Sequence, residues 1–257
     1  MIQEKAKIIS NKRLKANYWH CVFFAPRICP KAKPGQFINV KVSEGIRPLL
    51  RRPFSIHRAC GDNLEILYEV LGEGTRAFSR RKSAERIDII GPLGNGFDCR
   101  NAGEVLLVGG GIGVAPLLYL AQELKSKSKT ALIGARTKSA VLCEKEFKNS
   151  GCGVKIATDD GSAGFSGTVT ELLKFSLKTN NQQLTTIYAC GPRPMLKAVT
   201  QISEMFNIPS QLSLEEHMSC AIGACLGCVV KIKKGKSFDY QRVCKEGPVF
   251  QAQKVIF

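Results

Sequence analysis

The sequence lacks the apolar segments that would place a protein in a membrane or send it out of the cell. No run approaches the roughly 18 consecutive apolar residues that a spanning helix needs. The segment Met1–Lys12 is polar apart from short apolar pairs, so it does not have the pattern of a secretory signal peptide. Internal repeats and low-complexity stretches are missing as well. We therefore expect a cytoplasmic protein with no membrane association.

Acidic residues and histidines are scarce. The 257 residues include 38 Lys and Arg against 21 Asp and Glu, with three His, which gives a net charge of +17. Such a charge is compatible with nucleic acid, an anionic membrane or acidic small molecules as partners. The basic residues are spread over the whole chain, and no dense basic arm carries interleaved aromatic residues. We expect no nucleic-acid partner and interpret the excess as a solvated surface that also suits dinucleotides or an acidic protein.

Cysteine, by contrast, is abundant, with eleven residues. Without a secretion signal this number does not indicate a disulfide framework. Four cysteines, Cys220, Cys225, Cys228 and Cys244, have the spacing C-x4-C-x2-C-x15-C. The first two intervals match the plant-type [2Fe–2S] pattern, in which four thiolates enclose two irons. The sequence therefore predicts a [2Fe–2S] cluster in the C-terminal section.

Small residues support the cluster interpretation. Gly223, Ala224 and Gly227 stand where the chain would pass close to the sulfurs and turn its N–H groups inward. A four-cysteine zinc site is the main alternative, although such sites favour two C-x2-C pairs and this chain has one. Incidental thiols are a third interpretation. At this point all three remain open.

The first hundred residues consist of short runs rich in β-branched and aromatic residues, separated by Pro, Gly and Asp. Many short strands of this kind predict a small antiparallel β-barrel, here with a boundary near residue 99. The predicted strands are Ala6–Ser10, Tyr18–Ala25, Phe37–Val42, Phe54–Ala59 and Asn63–Val70.

The pattern changes after about Asn101 to alternating strands and helices, which predicts a parallel α/β domain over residues 100–211. The predicted strands are Glu104–Val108, Thr130–Ala135, Val154–Ala157 and Thr185–Ala189, and the predicted helices are Ala115–Lys125, Leu142–Lys148, Thr168–Leu177 and Pro194–Phe206. Residues 212–257 are predicted to form a compact cysteine-rich module that ends in a loop and a short strand over Val243–Phe257. The expected architecture is β plus α/β, in three parts.

Two segments of the first part have the residue types of a flavin site. Arg52, Pro53, Phe54 and Ser55 combine a guanidinium that can hold a pyrophosphate, an aromatic ring that can cover a flavin, and a hydroxyl that can bond its reactive edge. Further on, Leu67, Tyr68 and Glu69 end a strand, and Gly74 and Thr75 follow a glycine turn at the start of a helix that we expect Thr75 to cap. Taken separately, each piece also fits an ordinary strand end or helix cap.

Three segments of the second part suggest a dinucleotide site. The strand Glu104–Val108 leads into a glycine run with Gly110, Gly111 and Gly113, where the backbone can approach a pyrophosphate. Asp159 follows another strand, at the sheet edge where open α/β sheets bind ligands. Cys190, Gly191 and Pro192 follow the strand Thr185–Ala189, and Cys190 would face a nicotinamide. A small residue at a tight strand-to-helix turn is the alternative for Cys190.

Together these residues resemble the ferredoxin–NADP reductase superfamily. Arg52–Ser55 is similar to its arginine-x-aromatic-serine flavin motif, Gly109–Pro116 to its GGGxGxAP pyrophosphate loop, and Cys190–Pro192 to its CGP nicotinamide motif. With the four C-terminal cysteines and the segment Cys244–Phe250, the whole chain resembles the electron-transfer subunits of class 1B dihydroorotate dehydrogenases. The high positive charge is not part of that pattern.

The resemblance implies three cofactors and one partner. It implies FAD bound through Arg52–Ser55, Leu67–Glu69 and Gly74–Thr75, a [2Fe–2S] cluster on the four cysteines, and NAD as substrate. It also implies an FMN-containing catalytic subunit that oxidises dihydroorotate, in a heterotetramer of two chains each. Because a flavin exchanges both hydrides and single electrons, the expected path runs from the partner's FMN through the cluster and FAD to NAD⁺, in pyrimidine (UMP) biosynthesis. No side chain of this chain need act as a general acid or base, so we expect the three histidines to be structural.

Two other functions remain open on the sequence. Another flavin and iron–sulfur reductase of the same superfamily would pass electrons from NAD(P)H to ferredoxin or sulfite. A redox-sensing or zinc-binding regulatory module, which is not an enzyme, would bind no flavin. The choice between NAD and NADP is not determined by the spacing.

Overall fold

The computed structural model describes residues 1–100, 103–126, 128–179 and 184–257. The N-terminal part contains seven strands and one short helix. These are β1 (Ile2–Lys15), β2 (Tyr18–Phe24), β3 (Phe37–Val40), β4 (Arg52–Ser55), β5 (Arg58–Cys60), β6 (Asn63–Glu69), α1 (Glu73–Ser79) and β7 (Arg86–Leu93). The strands form one sheet in the order β4-β3-β7-β1-β2-β6-β5, and all neighbours pair antiparallel.

This N-terminal sheet curls around a single core. Phe54 of β4 packs against Tyr68 of β6 with ring centroids 5.5 Å apart, although four strands lie between β4 and β6 in the sheet order. Phe78 of α1 is fully buried against both rings. Alternate residues of β1, such as Ala6 and Ile8, point into the same core, as the period of two along a strand requires. The predicted antiparallel β-barrel domain is confirmed as a half-barrel.

The second part is a parallel sheet with helices on both faces. Its strands are β8 (Glu104–Gly110), β9 (Ser128–Ala135), β10 (Gly153–Thr158), β11 (Phe165–Ser166), β12 (Leu184–Cys190), β13 (Ser210–Ser213) and, from the C-terminal section, β16 (Val249–Gln251). Its helices are α2 (Val114–Glu123), α3 (Glu144–Asn149), α4 (Val169–Thr179) and α5 (Arg193–Met205). The strand order is β11-β10-β9-β8-β12-β13-β16, and only β16 runs antiparallel to its neighbour.

The centre of this sheet is apolar because helices cover both of its faces. Residues 105–110 of β8 are all buried, as the continuous apolar run predicts for a central parallel strand. From β8 the chain moves outward through β9 and β10, and it later crosses to β12 on the other side of β8. Ligands bind at such a reversal of strand order, outside the carboxyl ends of the strands. Those ends are Gly110 of β8 and Cys190 of β12, and the predicted parallel α/β domain is confirmed.

The C-terminal section forms a second, smaller sheet and also joins the large one. Its strands β14 (Val229–Lys234), β15 (Ser237–Arg242) and β17 (Val255–Ile256) make an antiparallel sheet in the order β15-β14-β17. Between β15 and β17, strand β16 pairs with β13 at the edge of the parallel sheet. This pairing anchors the cysteine-rich section to the α/β domain. Among the described residues, no helix is long and apolar enough to cross a bilayer.

Several predicted elements need correction. The expected single strand Phe54–Ala59 is wrong, because β4 pairs with β3 at one edge of the sheet whereas β5 pairs with β6 at the other. Strands β7 and β13 and the β14–β15 hairpin were not predicted. The first strand is longer than Ala6–Ser10, and the helix expected at Ala115–Lys125 begins at Val114 and ends at Glu123, since Leu124 is extended. The predicted change of pattern at Asn101 lies outside the described residues.

Candidate flavin, dinucleotide and iron–sulfur sites

The two consecutive arginines at the start of β4 have different surroundings. Arg51 is paired with Asp88, with Nη2 and Oδ1 3.0 Å apart, and donates to the carbonyl of Asp88 as well. Within the described part of the chain, Arg52 has no carboxylate partner and donates only to the carbonyls of Leu50 and Arg51. Because its charge is not neutralised by an acidic side chain, Arg52 is available for a phosphate group. Arg51 is instead a structural residue.

Gly74 makes room for the Arg52 side chain. A Cβ atom at position 74 would lie 2.4 Å from Nε of Arg52, so only glycine allows the guanidinium to rest on the start of α1. Thr75 does not cap this helix as predicted, because the cap is Gly72 and Thr75 is the third helical residue. Its hydroxyl instead reaches back and accepts from the N–H groups of Leu71 and Gly72, at 3.0 and 3.2 Å. The predicted cap at Thr75 is wrong because the helix begins at Glu73, two residues earlier.

Most of the predicted flavin residues line one cleft of about 250 Å³ between the two sheets. The lining includes Pro53, Phe54, Ser55, Leu67, Tyr68, Glu69 and Thr75 from the half-barrel, and Ile112 and Ala115 from the α/β domain. Phe54 and Tyr68 are largely buried in the core behind the cleft, and Tyr68 donates its hydroxyl to Asn11 at 2.9 Å. Apolar walls, the Ser55 hydroxyl and the free Arg52 charge together fit a flavin nucleotide.

The glycine run connects β8 to α2 by way of an open turn. Gly111 has φ of +54°, and a Cβ there would meet nothing within 4 Å, so the backbone faces free space. A Cβ on Gly113 would lie 2.3 Å from the carbonyl oxygen of Cys190, and one on Gly110 would lie 2.5 Å from Sδ of Met195. Glycine is therefore required at position 113 for the approach of this turn to β12, whereas at position 110 the neighbour is the flexible side chain of Met195 on α5. The exposed backbone of Gly111 and the following helix fit a dinucleotide pyrophosphate.

Cys190 ends β12 and is fully buried. Burial raises the pKa of its thiol, and the nearby carboxylate of Glu215 raises it further. The thiol is therefore neutral, and Cys190 can shape the pocket but cannot act as a nucleophile. Gly191 and Pro192 follow directly and open α5. They line a small cavity of about 160 Å³ with Glu215, so the nicotinamide motif and the flavin cleft share this residue.

Asp159 follows β10 at the same carboxyl edge, but it lies away from the flavin cleft. Strand β9 separates β10 from β8, and the N–H of Asp159 donates to the carbonyl of Ala135 at 3.1 Å. Its side chain is exposed. The structure thus places Asp159 at the sheet edge expected for the far end of a dinucleotide and does not bring it to Cys190.

The first three cysteines lie on a loop whose backbone turns toward the sulfurs. Sγ of Cys220 accepts from the N–H groups of Ala224 and Cys225, at 3.3 and 3.4 Å. Ala221 and Leu226 have positive φ angles, 59° and 58°, and Gly223 has 85°. These conformations are uncommon outside glycine and turn successive N–H groups to one side. The loop therefore presents hydrogen-bond donors to thiolate sulfurs.

Hydrogen bonding changes the acidity of the thiols. Burial opposes ionisation of Cys220, yet donation from the backbone of Ile222, Cys225 and Ala224 prevails and lowers its pKa to about 6. Burial and the neighbouring Cys228 raise the pKa of Cys244 to about 12. A metal centre supplies the positive charge that ionises such a thiol.

The four cysteines associate in two pairs. Cys220 interacts with Cys225, and Cys244 donates its N–H to Sγ of Cys228 at 3.4 Å. The first pair lies toward solvent, with Cys225 exposed, and the second pair is buried. In the part of the chain that the structure describes, no three His, Cys, Asp or Glu side chains converge on a single ion position. Two pairs of thiols fit two irons, each held by two cysteines, and this donor set suits a [2Fe–2S] cluster.

Some residues of the cleft were not predicted from the sequence. Glu215, Glu216 and Met218 line it from the segment between β13 and the cluster loop, and Glu216 pairs with Arg193 at 2.7 Å. The sequence contains a feature that predicts this position, because carboxylates directly after a parallel strand lie at the edge of the sheet where ligands bind. That feature was missed because β13 itself was not recognised.

The flavin cleft lies where the strand order of the parallel sheet reverses, and a thiol-rich loop borders it. These features define a redox protein of the ferredoxin–NADP reductase type. Family models give two matches, an iron–sulfur cluster binding domain of dihydroorotate dehydrogenase B at residues 215–256 and an oxidoreductase NAD-binding domain at residues 107–201. The fold and the two matched domains therefore support FAD, a [2Fe–2S] cluster and NAD as the cofactors of this chain.

Curated relatives make the assignment more specific. The chain is 40% identical to the dihydroorotate dehydrogenase B (NAD⁺) electron transfer subunit of Caldanaerobacter subterraneus subsp. tengcongensis over 98% of both chains. It is 41% identical to the subunit of the same name from Desulforamulus reducens, over 98% of this chain and 97% of that one. The chain belongs to the family of dihydroorotate dehydrogenase B electron transfer subunits.

A solved structure has the same architecture. It is an NADH-dependent reduced ferredoxin-NADP oxidoreductase studied for flavin-based electron bifurcation. It superposes with a TM-score of 0.87 at 29% identity, over 98% of this chain and 90% of that one.

Proposed function

We propose that this chain transfers electrons within an NAD-dependent dihydroorotate dehydrogenase of pyrimidine (UMP) biosynthesis. It would serve an FMN-bearing catalytic subunit, in a heterotetramer of two chains each. Membership of the family supports the role. All eleven cysteines are free thiols, which supports a cytoplasmic location.

One structural observation carries the proposal. The flavin cleft borders both other sites, because Glu215 belongs to the cleft and to the cavity of Gly191 and Pro192, and Met218 of the cleft stands two residues before Cys220. The amide of Asn39 also donates to the carbonyl of Cys220, at 3.4 Å, and so links β3 to the cluster loop. A carrier in the cleft would therefore lie between a nicotinamide and the cluster. A bound flavin exchanges hydrides with NAD and single electrons with an iron–sulfur centre.

We assign the residues as follows. The proposed FAD-binding residues are Arg52, Pro53, Phe54, Ser55, Leu67, Tyr68, Glu69, Gly74 and Thr75; the proposed NAD-binding residues are Gly110, Gly111, Gly113, Asp159, Cys190, Gly191 and Pro192; the proposed cluster ligands are Cys220, Cys225, Cys228 and Cys244. The corresponding units are residues 1–99, 100–211 and 212–257. The free charge of Arg52 and the open backbone at Gly111 support the two phosphate assignments.

The side chains of the site bind and position; none of them needs to transfer a proton. Arg52 would neutralise phosphate charge, and Ser55 would hydrogen-bond the polar edge of the flavin. The buried, neutral thiol of Cys190 and the close packing of Gly113 against it would shape the border of the two domains. His57 is also structural, because its ring Nδ1 contacts the carbonyl of Ala115 at 2.9 Å and burial lowers its pKa.

Two measurements test the function. An anaerobic visible spectrum of the purified protein should show flavin and iron–sulfur absorption, and both should bleach with NADH. After mixing with the catalytic subunit, dihydroorotate should drive the formation of NADH from NAD⁺. A protein that stays colourless after reconstitution with iron, sulfide and FAD would refute the proposal, and zinc analysis would then test the regulatory alternative.

A second candidate follows from the similarity to the NADH-dependent reduced ferredoxin-NADP oxidoreductase. In that case the cluster would exchange electrons with ferredoxin or another small acceptor. A chain that bleaches with NADH and reduces ferredoxin, but supports no NADH formation from dihydroorotate with the catalytic subunit, would establish this candidate over the first.

A further inference from the structure

A second cavity lies between the half-barrel and the α/β domain, next to the flavin cleft. Its volume is about 520 Å³, and sites for small molecules measure about 300–1,000 Å³. Of the residues proposed above for FAD, NAD and the cluster, only Leu67 lines it. We call it the interdomain cavity. Its lining includes Lys15, His57, Glu65, Leu67, Leu118, Lys138 and residues 141–146.

His57 presents a hydrogen-bonding atom that the protein leaves unused. The residue is 7% exposed, and its Nδ1 lies 2.9 Å from the carbonyl oxygen of Ala115. Burial lowers the pKa of His57, so the ring is neutral. Because a carbonyl oxygen can only accept, Nδ1 carries the proton and Nε2 is an acceptor.

The free nitrogen of His57 opens into the interdomain cavity. Within the described residues Nε2 has no hydrogen-bond partner, yet it is not one of the unpaired polar atoms that the protein encloses completely. The ring lines this cavity and is otherwise buried. A buried acceptor in such a position needs a donor from a bound molecule. The cavity is therefore suited to a ligand that carries an N–H or O–H group.

Apolar side chains form another part of the cavity wall. Leu67 comes from β6, Leu118 from α2, and Val141 and Leu142 from the segment before α3. All four side chains are buried. Apolar walls with a few polar groups are typical of sites that bind flat heterocyclic rings.

The same cavity is lined by lysines whose charge no carboxylate neutralises. Lys138 and Lys145 are exposed, and in the described part of the chain neither has an acidic partner. Lys15 donates to the carbonyl of Val141 and likewise has no acidic partner there. Ammonium groups of this kind bind phosphate as point charges.

Most carboxylates of the lining are already paired. Glu65 contacts the ring of His20 at 2.8 Å, and Glu144 accepts from Lys148 at 2.6 Å. Among the described residues, Glu146 is the lining carboxylate without a basic partner. Three unneutralised lysines thus face one unneutralised carboxylate. This excess of positive charge favours an anionic ligand.

We propose that the interdomain cavity binds a nucleoside monophosphate whose base carries a ring N–H. The N–H would donate to Nε2 of His57, the base would lie against the apolar wall, and the phosphate would bind Lys138 and Lys145. Uracil has such an N–H at its N3 atom, whereas cytosine has an acceptor there. This site is additional to the proposed function, because electron transfer does not require it.

The position of the cavity gives such a ligand access to the flavin site. Leu67 lines both the cavity and the flavin cleft, and Ala115, which His57 contacts, lines the flavin cleft. A nucleotide in the cavity would contact both domains at once. It would therefore stabilise their arrangement around the flavin, since a ligand that binds only the folded protein stabilises it.

The test is calorimetric titration of the purified chain, with its cofactors bound, by UMP and by CMP. UMP should bind with a dissociation constant below about 1 mM. CMP should bind about tenfold more weakly or worse, because its N3 would place an acceptor against Nε2 of His57. Equal affinities for the two nucleotides, or no binding of UMP, would overturn the proposal.

Charge variants test the phosphate end of the site. In Lys138→Glu/Lys145→Glu the dissociation constant of UMP should rise about tenfold or more at low salt. Lys174→Glu/Lys178→Glu is the matched control, because these lysines are exposed on α4 and do not line the cavity. It should bind UMP as wild type does. Equal weakening by both double variants would show a general charge effect and would contradict the site.

Two further measurements separate this site from the others. His57→Phe keeps a ring without an acceptor, so UMP should lose its advantage over CMP, and the flavin spectrum checks the fold. Saturating NAD⁺ should leave the binding of UMP unchanged, whereas displacement of UMP by NAD⁺ would place the nucleotide at the glycine turn and overturn the proposal. Bleaching by NADH and formation of NADH from dihydroorotate test the proposed function independently, and both can succeed in a protein that does not bind UMP.

Discussion

The flavin cleft and the cluster loop are built in opposite ways. The cleft collects side chains from β3, β4, β6 and α1, which are regular structure, and from the segment after β13. The cluster loop takes three of its four cysteines from nine consecutive residues, and its backbone adopts positive φ angles at Ala221, Gly223 and Leu226. A site of the first kind depends on tertiary packing, whereas one of the second kind depends on local conformation and on the bound metal. The two regions should therefore respond differently to substitution.

The largest expected effect is the loss of the cluster without any loss of flavin reduction in the cleft. Cys228→Ser removes a buried thiol that we propose as a ligand, and it should abolish the cluster, because a hydroxyl does not replace a thiolate on iron. Formation of NADH from dihydroorotate and NAD⁺ should fall to background, while NADH still reduces the flavin. Iron and sulfide analysis and the two assays measure this. Cys152→Ser, at a buried cysteine outside the cluster, should retain both activities. Loss of flavin reduction in Cys228→Ser would show that the two regions are not independent.

The same contrast explains what the sequence could predict. Cysteine spacing is local, so the four ligands could be proposed without knowledge of the fold. The short motifs Arg52–Ser55 and Gly109–Pro116 were recognisable for the same reason. Glu215 and Met218 could not be placed, because their position depends on β13 pairing between β12 and β16, and β16 comes from a segment 36 residues further on. The start of α1 was also misjudged, since Thr75 has the residue type of a cap but bonds backward from inside the helix.

A smaller effect tests the packing of the dinucleotide turn. In Gly113→Ala the new methyl group would lie 2.3 Å from the carbonyl oxygen of Cys190. That oxygen belongs to the backbone, so a change of side-chain rotamer cannot relieve the clash. We expect a loss of about 1–3 kcal/mol in the free energy of unfolding and at least tenfold slower reduction by NADH. Chemical denaturation and stopped-flow absorbance measure the two effects.

The control for this substitution is Gly153→Ala. Its new methyl group has its nearest neighbour at 3.5 Å, and the residue lies on β10 away from the turn. It should lose little stability and keep the wild-type rate. The cluster spectrum of both variants should be unchanged, because neither residue touches the cysteine loop. Equal rates for Gly113→Ala and wild type would contradict the proposed pyrophosphate site.

The flavin side of the comparison can be tested at Gly74. Gly74→Ala would push the guanidinium of Arg52 away from the start of α1, since the two would be 2.4 Å apart. The arginine side chain is flexible, so the protein should fold, but the affinity for FAD should fall about tenfold, or about 1.4 kcal/mol. Gly72→Ala is the matched control, because nothing lies within 4 Å of its Cβ position. Titration of the apoprotein with FAD measures both, and equal affinities would remove Arg52 from the proposed site.

The smallest effect concerns how the cluster loop is held in the absence of regular structure. Arg242 donates to the carbonyl of Gly223 at 2.7 Å, and it also forms a charged pair with Glu246. Hydrogen bonds from Arg242 lower the pKa of Glu246 from 4.5 to about 2. Because the folded pKa is depressed, this stabilisation is fully present above about pH 4.5 and is lost as the pH falls toward about 2. The pair is solvent-accessible, so the contribution should stay below about 1 kcal/mol.

Glu246→Gln tests this contribution at the cluster itself. At neutral pH the variant should release its iron somewhat faster than wild type when a chelator is added, because Arg242 is less firmly oriented toward Gly223. In the protein without its cluster, the difference in the free energy of unfolding between variant and wild type should shrink between about pH 4.5 and 2, since wild type then loses the same charge. Glu44→Gln is a suitable control, because the pKa of Glu44 is also lowered by basic neighbours but the residue lies on the half-barrel. A difference between Glu246→Gln and wild type that grows as the pH falls would exclude the ion pair as its cause. The loop would then be held by the thiolate hydrogen bonds alone, and the cluster region would be even less dependent on tertiary packing than the cleft.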